Sequence, residues 1–250
     1  MLWIGIIAFL LVGLTVIAIF VSSPMKIPRE ADREGVEDAA ALQAYYRASR
    51  WPVFTFERYL ILKALNQIKP IGQIIDVGCG PGFLTAQISR ELPEVKVIGL
   101  DINEATLKNA KRTWLPDVHP KLEFLIGDAQ QLPFLDNSVD FVISSLSLHH
   151  WADAHAVFQE ISRILKPGGK FLIFDLKRDS PTYFYYALKI GQAALAPKAI
   201  RKINGAVGSF WAAYTPSEIM KTIQKIPLEN LRIESRVGWM FISARKPGNL

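Results

Sequence analysis

The chain is poor in cysteine. One cysteine, Cys79, stands in 250 residues, which excludes an intramolecular disulfide and fits a reducing compartment. Internal repeats and low-complexity tracts are absent, so arrays and tails are not the organising principle. Charge is missing at the start: Leu2 to Val21 carries no acidic or basic side chain and one hydroxyl, Thr15. Acid is scarce at the other end. From Lys177 onward lie 12 of the 29 Lys+Arg but 4 of the 23 Asp+Glu, so the net charge of +6 belongs to the last third. Such a balance fits an anionic membrane surface, a nucleic acid or an acidic partner, and equally a solvated helix face.

The uncharged start is as long as a bilayer is thick. At about 1.5 Å per residue, a helix over Leu2–Val21 spans roughly 30 Å. A cleaved leader would need basic residues before the apolar run and a small-residue cleavage site, and "VSSP" with Pro24 supplies neither. The expectation is a transmembrane anchor over residues 1–22 and a juxtamembrane linker over 23–36. Lys26, Arg29 and Arg33 follow the span and no basic side chain precedes it. That asymmetry predicts a single-pass membrane protein with the following domain on the cytoplasmic side.

Half of the residues are hydrophobic, enough for one large domain over 37–250. Two helices are predicted first, over Glu37–Arg50 and Phe54–Ile68. Strands and helices then alternate. Strands are expected at Gln73–Val77, Val95–Leu100, Leu122–Ile126, Val139–Ser145 and Lys170–Leu176. Helices are expected at Pro81–Leu92, Glu104–Trp114 with Asn103 as N-cap, and about Ala152–Leu165. "KPGG", Lys166 to Gly169, reads as a turn. Strands joined by helices mean βαβ units and a mainly parallel, doubly wound α/β sheet. Pro181 to Trp211 is aromatic and basic and reads as two helices. "TPSEI" opens another helix, and Arg232–Val237 with Trp239–Arg245 reads as an antiparallel hairpin closing the sheet.

The stretch "IIDVGCGPGF", Ile74 to Phe83, gives up side chains at Gly78, Gly80 and Gly82. Missing Cβ atoms permit positive φ and let a ligand lie against backbone N–H groups. A dinucleotide fingerprint G-x-G-x-x-G would place its third glycine at residue 83, which is Phe83. Asp101 closes the second strand 23 residues after Gly78. A carboxylate there can accept from both hydroxyls of a ribose, which indicates a nucleoside without saying which. Asp128, in "GDAQQLPF" after the third strand, can accept from an adenine amine, with "LPF" as an apolar wall.

These blocks, together with "VIGLDIN", "DFVISSLSLHHW" and "ISRILKPGGKFLIFDL" in that order, resemble the class I S-adenosylmethionine-dependent methyltransferases. The nearest type is the small-molecule group that includes the ubiquinone/menaquinone methyltransferases. The likeness covers about residues 73–176, and "YTPSEI" also looks similar to that group. It implies a seven-stranded Rossmann-like fold with S-adenosylmethionine as cofactor. It implies that Gly78, Gly80 and Gly82 line the methionine part, with Asp76 reaching its amino group or, alternatively, capping the loop. Asp101 would hold the ribose, Ile102 would lie against the adenine, and Asp128 and Ala129 would bind the adenine edge. Ser145 and Leu146 would pass the reactive end. Cys79 sits among these cofactor-binding positions and reads as packing rather than chemistry. No metal is expected.

A sulfonium makes its methyl group electrophilic, so alignment and exclusion of water are the main tasks. A base is needed only where the acceptor carries a proton. His149 is the candidate base and His150 a candidate substrate contact; the competing reading is that "HHW" only shapes the loop. Tyr45, Tyr46, Trp51 and Tyr214 are candidate substrate-pocket walls that read equally as core. The fourth block lacks the Asn/Asp-Pro-Pro-aromatic run of enzymes that methylate DNA amino groups, and "SLSLHHW" departs from the quinone enzymes. The segment after the fifth strand, about 180–211, often forms a lid in this group. Tyr183 to Tyr186 with Lys189, Lys198, Arg201 and Lys202 suit a headgroup region, and equally an ordinary cap helix packed on the core. The expected partner is a lipophilic small molecule, admitted from a membrane held by residues 2–21 and by the lid over 180–203. Nucleic acid is an unfavoured partner. Alternatives are a soluble-substrate enzyme tethered for localisation, a nicotinamide oxidoreductase, and a non-enzymatic cofactor-binding module; comparative cofactor binding and turnover separate them.

Overall fold

The computed structural model describes residues 21–30, 39–115, 121–202 and 205–248. Helices α1 (Ala39–Ala48) and α2 (Pro52–Ile68) precede strand β1 (Gln73–Val77). Then follow α3 (Phe83–Glu91), β2 (Lys96–Asp101), α4 (Glu104–Trp114), β3 (Leu122–Ile126) and β4 (Val139–Ser145). A 3-10 turn (Leu148–His150), α5 (Ala154–Ile164) and β5 (Leu165–Leu176) complete the alternating part. Helices α6 (Thr182–Leu195), α7 (Lys198–Lys202), α8 (Gly205–Ala212) and α9 (Pro216–Ile223) lead to β6 (Glu229–Ser235) and β7 (Trp239–Arg245).

The apolar runs of β1 and β4 are buried on both faces because helices cover both. The sheet has seven strands in the order β3-β2-β1-β4-β5-β7-β6. The first five are parallel, and β7 is antiparallel to both β5 and β6. One core, with Val142, Phe158, Ile161, Ile173 and Met240, joins the sheet to α5 and α9. The other, with Ile61, Leu65, Ile88, Leu107 and Ile143, joins it to α2, α3 and α4. Strand order reverses between β1 and β4, and the crevice beyond their C-terminal ends is where such sheets take ligands.

Local sequence explains the helix starts. Asn103 accepts from Thr106 N at 2.9 Å, as a side-chain N-cap should. Thr215 and Glu218 close a reciprocal capping box on α9. "KPGG" is not a turn between elements. Strand β5 runs through it, and pairing jumps from Val139↔Leu165 to Phe141↔Lys170. Gly168, at φ +78°, absorbs the extra residues as a bulge. Among the described residues the expected pair of lid helices is three, α6, α7 and α8, with a break at Pro197.

The expected transmembrane anchor and single-pass location are corrected. Among the described residues no helix is long and apolar enough to cross a membrane. The longest, α2, has 17 residues and carries Glu57, Arg58 and Lys63. The expected span over residues 2–21 lies outside the described residues save for its last position. Residues 23–30 of the expected linker lie on the domain. Met25 N donates to Ser180 O at 2.9 Å, Thr182 N donates to Ser23 O at 3.0 Å, and Glu30 N donates to Trp211 O at 3.2 Å.

Candidate active site

Three strands end in an acid or a hydroxyl at one edge of the sheet: Asp76 one residue before the end of β1, Asp101 on β2 and Ser145 on β4. The glycine loop lies between the first two. Gly78, Gly80 and Gly82 have φ of +72°, +52° and +75°, which a side chain would oppose. A Cβ on Gly78 would stand 2.0 Å from Ser147 Oγ, so the β4 turn closes directly onto the loop. Gly82 serves packing: its Cβ would meet Phe124 at 2.8 Å and Trp114 at 3.1 Å.

The loop does not offer its N–H groups to a ligand as expected. Gly78 N and Cys79 N both donate to Leu100 O, at 2.8 and 3.0 Å. Gly80 N donates to Asp101 Oδ2 at 2.8 Å, and Gly82 N donates to Cys79 O at 3.0 Å. A phosphate would find these donors taken. The groups that face the cleft are acids instead.

Asp76 is buried, and Thr85 donates to its Oδ2 at 2.6 Å. Burial pushes its carboxyl up to about 7, and the charge of Asp101 adds to this. Glu57, from α2, lines the same cleft and accepts a hydrogen bond from Ser145 Oγ. Burial pushes Glu57 to about 7, while Ser145 and Arg58 pull it back. Burial also raises Asp101, against the hydrogen bonds from Asn103 N and Gly80 N. Arg58 is the cationic side chain in the cleft wall. Its Nη1 donates to Ser49 O at 2.9 Å, and its guanidinium lies 5.3 Å from the Phe83 ring centroid.

Tyr45, Asp76, Gly78, Cys79, Ser145 and Leu146 line this one cleft. Tyr45 also faces Gly80, whose Cβ would lie 3.7 Å from its ring. Asp101 ends β2 with both carboxylate oxygens accepting, from Asn103 N at 2.9 Å and Gly80 N at 2.8 Å, while Ile102 beside it is 69% exposed; neither of them, nor Asp128 after β3, lines the cleft. Asp128 accepts from Gln130 N at 2.8 Å, and Ala129 packs against the core. Burial raises the Cys79 thiol well above its usual value, ahead of the charges of Asp76 and Asp101, which makes it a packing group.

The other named residues are dispersed. Tyr46 turns toward α4, its hydroxyl 3.4 Å from Thr113 Oγ1 and its ring 5.3 Å from that of Phe83. Trp51 is the half-buried N-cap residue of α2. Tyr214 lies under the Arg29 guanidinium at 4.0 Å, away from the cleft wall. His150 is exposed with its ring 4.1 Å from His149. His149 is buried, and its Nδ1 sits 2.7 Å from Asp175 Oδ1.

Sequence reasoning missed Glu57, Arg58 and Asp175. The signals were present. Glu57 and Arg58 share the buried side of α2 with Ile61, Leu62 and Leu65, where charge is costly without purpose. Asp175 ends the apolar run "FLIF" as Asp101 ends "VIGL".

Residues 75–173 match the family model described as Methyltransferase domain. The chain carries a class I S-adenosylmethionine-dependent methyltransferase domain. It is 32% identical over 152 residues to a demethylmenaquinone methyltransferase of Symbiobacterium thermophilum, covering 60% of this chain and 59% of that one. It is 29% identical over 185 residues to the phthiotriol/phenolphthiotriol dimycocerosates methyltransferase of Mycobacterium tuberculosis, covering 74% of this chain and 60% of that one. The chain thus spans about three fifths of the length of these curated relatives, and one fifth of a bifunctional biotin-biosynthesis protein of Cellvibrio japonicus. In fold it is similar to phosphoethanolamine N-methyltransferase 2 of Haemonchus contortus, solved with S-adenosyl-L-methionine. The TM-score is 0.64 at 18% identity, covering 86% of this chain and 59% of that one.

The cleft fits that cofactor on its own chemistry. Its loop donors are taken and its titratable side chains are mainly acids, so it favours a ligand bearing an ammonium and a sulfonium over one bearing a pyrophosphate.

Proposed function

We propose that the chain transfers the methyl group of S-adenosylmethionine to a lipophilic small molecule. The observation that carries the cofactor half is the pair of buried carboxyls, Asp76 and Glu57, in a cleft whose loop N–H groups are already paired. Asp76 and Glu57 meet the cationic groups of the cofactor, and Asp101 accepts from the ribose hydroxyls. Ile102 would lie against the adenine, and Asp128 and Ala129 would bind its edge. Arg58 meets the methionine carboxylate. When bound, the cofactor supplies a sulfonium methyl that passes in line to the acceptor, leaving S-adenosylhomocysteine.

The chain's own part is alignment, which contributes most to such a transfer. Ser145, Leu146 and Tyr45 wall the reactive end. His149, buried and outside the cleft lining, is the base only where the acceptor carries a proton that must leave, and Asp175 fixes its ring through Nδ1. The lipophilic acceptor rests on the names of the two curated relatives, a demethylmenaquinone methyltransferase and a phthiotriol/phenolphthiotriol dimycocerosates methyltransferase, and on the aromatic and apolar wall of Tyr45, Phe54 and Leu146.

The test is methyl transfer from labelled S-adenosylmethionine to lipid and water-soluble extracts of the source cell. Label entering solvent-extractable lipid supports the reading. Label confined to water-soluble material keeps the transferase and removes the lipophilic acceptor.

A further inference from the structure

Helix α6 presents a bare apolar stripe. Tyr183, Tyr186 and Ile190 are 44%, 52% and 67% exposed, and Ala187, Ala193 and Ala194 are exposed beside them. Their spacing of three and four residues places all six on one side of the helix. The opposite side is satisfied: Tyr185 packs on Phe210 with ring centroids 5.4 Å apart, and Phe184 and Leu188 join the same small core. The stripe is therefore not the seam that holds α6 to the domain.

Cations rim the stripe. Lys189 is exposed at its edge, one residue before Ile190. Arg201, from α7, donates from Nη1 to Ala193 O at 2.8 Å, which fixes a guanidinium at the stripe's C-terminal end. Lys198 and Lys202 are exposed on the same short helix. No acidic residue occurs in the sequence between Asp179 and Glu218. An apolar strip with a rim of one sign matches a surface that is oily below and anionic above. A nucleic acid would meet the cations and leave Ile190 and the alanines unused.

We propose that the α6–α7 face docks on the headgroup layer of an anionic lipid bilayer. Tyr183, Tyr186 and Ile190 dip into the interface, and Lys189, Lys198, Arg201 and Lys202 pair with lipid phosphates. The contact is peripheral and requires no spanning helix. It does not depend on the identity of the methyl acceptor.

The experiment uses the full chain with a polarity-sensitive fluorophore on Ile190→Cys, and a second sample labelled on Lys108→Cys, an exposed site on α4. Vesicles are phosphatidylcholine alone, or equal parts phosphatidylcholine and phosphatidylglycerol. The local signal reports this face alone, whatever else in the chain touches the vesicle. The expected result is a blue shift at position 190, absent at 108, with the anionic vesicles. The triple substitution Lys189→Ala, Lys198→Ala, Lys202→Ala should weaken it on the order of 100-fold in lipid concentration. Equal shifts with neutral vesicles, no shift, or emission already blue before lipid is added would each overturn the proposal. A shift produced by polyuridylate and not by vesicles would replace the bilayer with a nucleic acid. Methyl transfer to a dissolved acceptor, measured on the same samples, shows separately whether the enzyme reading holds.

Discussion

Nδ1 of His149 lies 2.7 Å from Oδ1 of Asp175, and neither residue is more than 2% exposed. The same carboxylate accepts from the His149 backbone N at 3.1 Å and from Leu176 N at 2.6 Å. The imidazole is thus held by the end of β5 in one orientation. Asp175→Asn keeps an acceptor for the backbone but loses the carboxylate that stabilises an imidazolium. If the acceptor must be deprotonated, kcat should fall by about 10²–10⁴-fold, with unchanged cofactor affinity. Steady-state rates across pH, beside calorimetric titration with the cofactor, measure both. Unaltered kcat would reduce the pair to loop architecture.

Glu57 and Asp76 give the domain a signed pH dependence. Each is pushed to about 7, from ordinary values of 4.5 and 3.8. Folding therefore takes up protons, and stability declines as pH rises from about 4 to about 7. Glu57→Gln should raise stability at pH 8 by about 1–3 kcal/mol and leave it nearly unchanged at pH 4.5. The measurement is urea unfolding without cofactor at both pH values. A loss of stability at pH 8 would mean that the carboxylate is compensated beyond what Ser145 and Arg58 supply.

The same two acids should be ionised against a cationic ligand. S-Adenosylmethionine affinity should then rise between pH 6 and pH 8, with protons released on binding near pH 6.5. Calorimetry in buffers of different ionisation enthalpy reads the proton count. Proton uptake would place the cofactor's cations elsewhere.

Gly78 and Ser147 should behave as one unit. Gly78→Ala forces a Cβ to within 2.0 Å of Ser147 Oγ at a φ of +72°. A loss of about 1–3 kcal/mol follows. Ser147→Gly removes the atoms in the way, so the double variant should be more stable than the sum of the two losses, by at least about 0.5 kcal/mol. Simple additivity would show that the strain lies in φ alone.

The alternating core was legible in sequence because period and punctuation agree there. β1, β3, β4 and α4 fall where the apolar runs and Asn103 place them. "KPGG" misled because glycine and proline mark a bulge as readily as a turn. The lid has more helices than the two its aromatic and basic run suggests, since Pro197 splits it and its apolar residues face both ways, Tyr185 inward and Tyr186 outward. Asp101, proposed for the ribose, is readable from its place at a strand end. Glu57 was not sought because it comes from a helix before the motif and reaches the cleft through tertiary packing. The N–H groups of Gly78 and Cys79 are taken by the Leu100 carbonyl, a backbone atom that no sequence pattern displays, and that of Gly80 by the Asp101 carboxylate.

The most direct measurement is calorimetric titration of the full chain with S-adenosylmethionine and with NAD, in the wild type and in Asp101→Ala. The wild type should bind S-adenosylmethionine at a single site per chain, with negligible NAD binding. Asp101→Ala should lose at least about tenfold in affinity, since the ribose loses a charged acceptor. Preferential binding of NAD, or wild-type affinity in Asp101→Ala, would contradict the cofactor assignment.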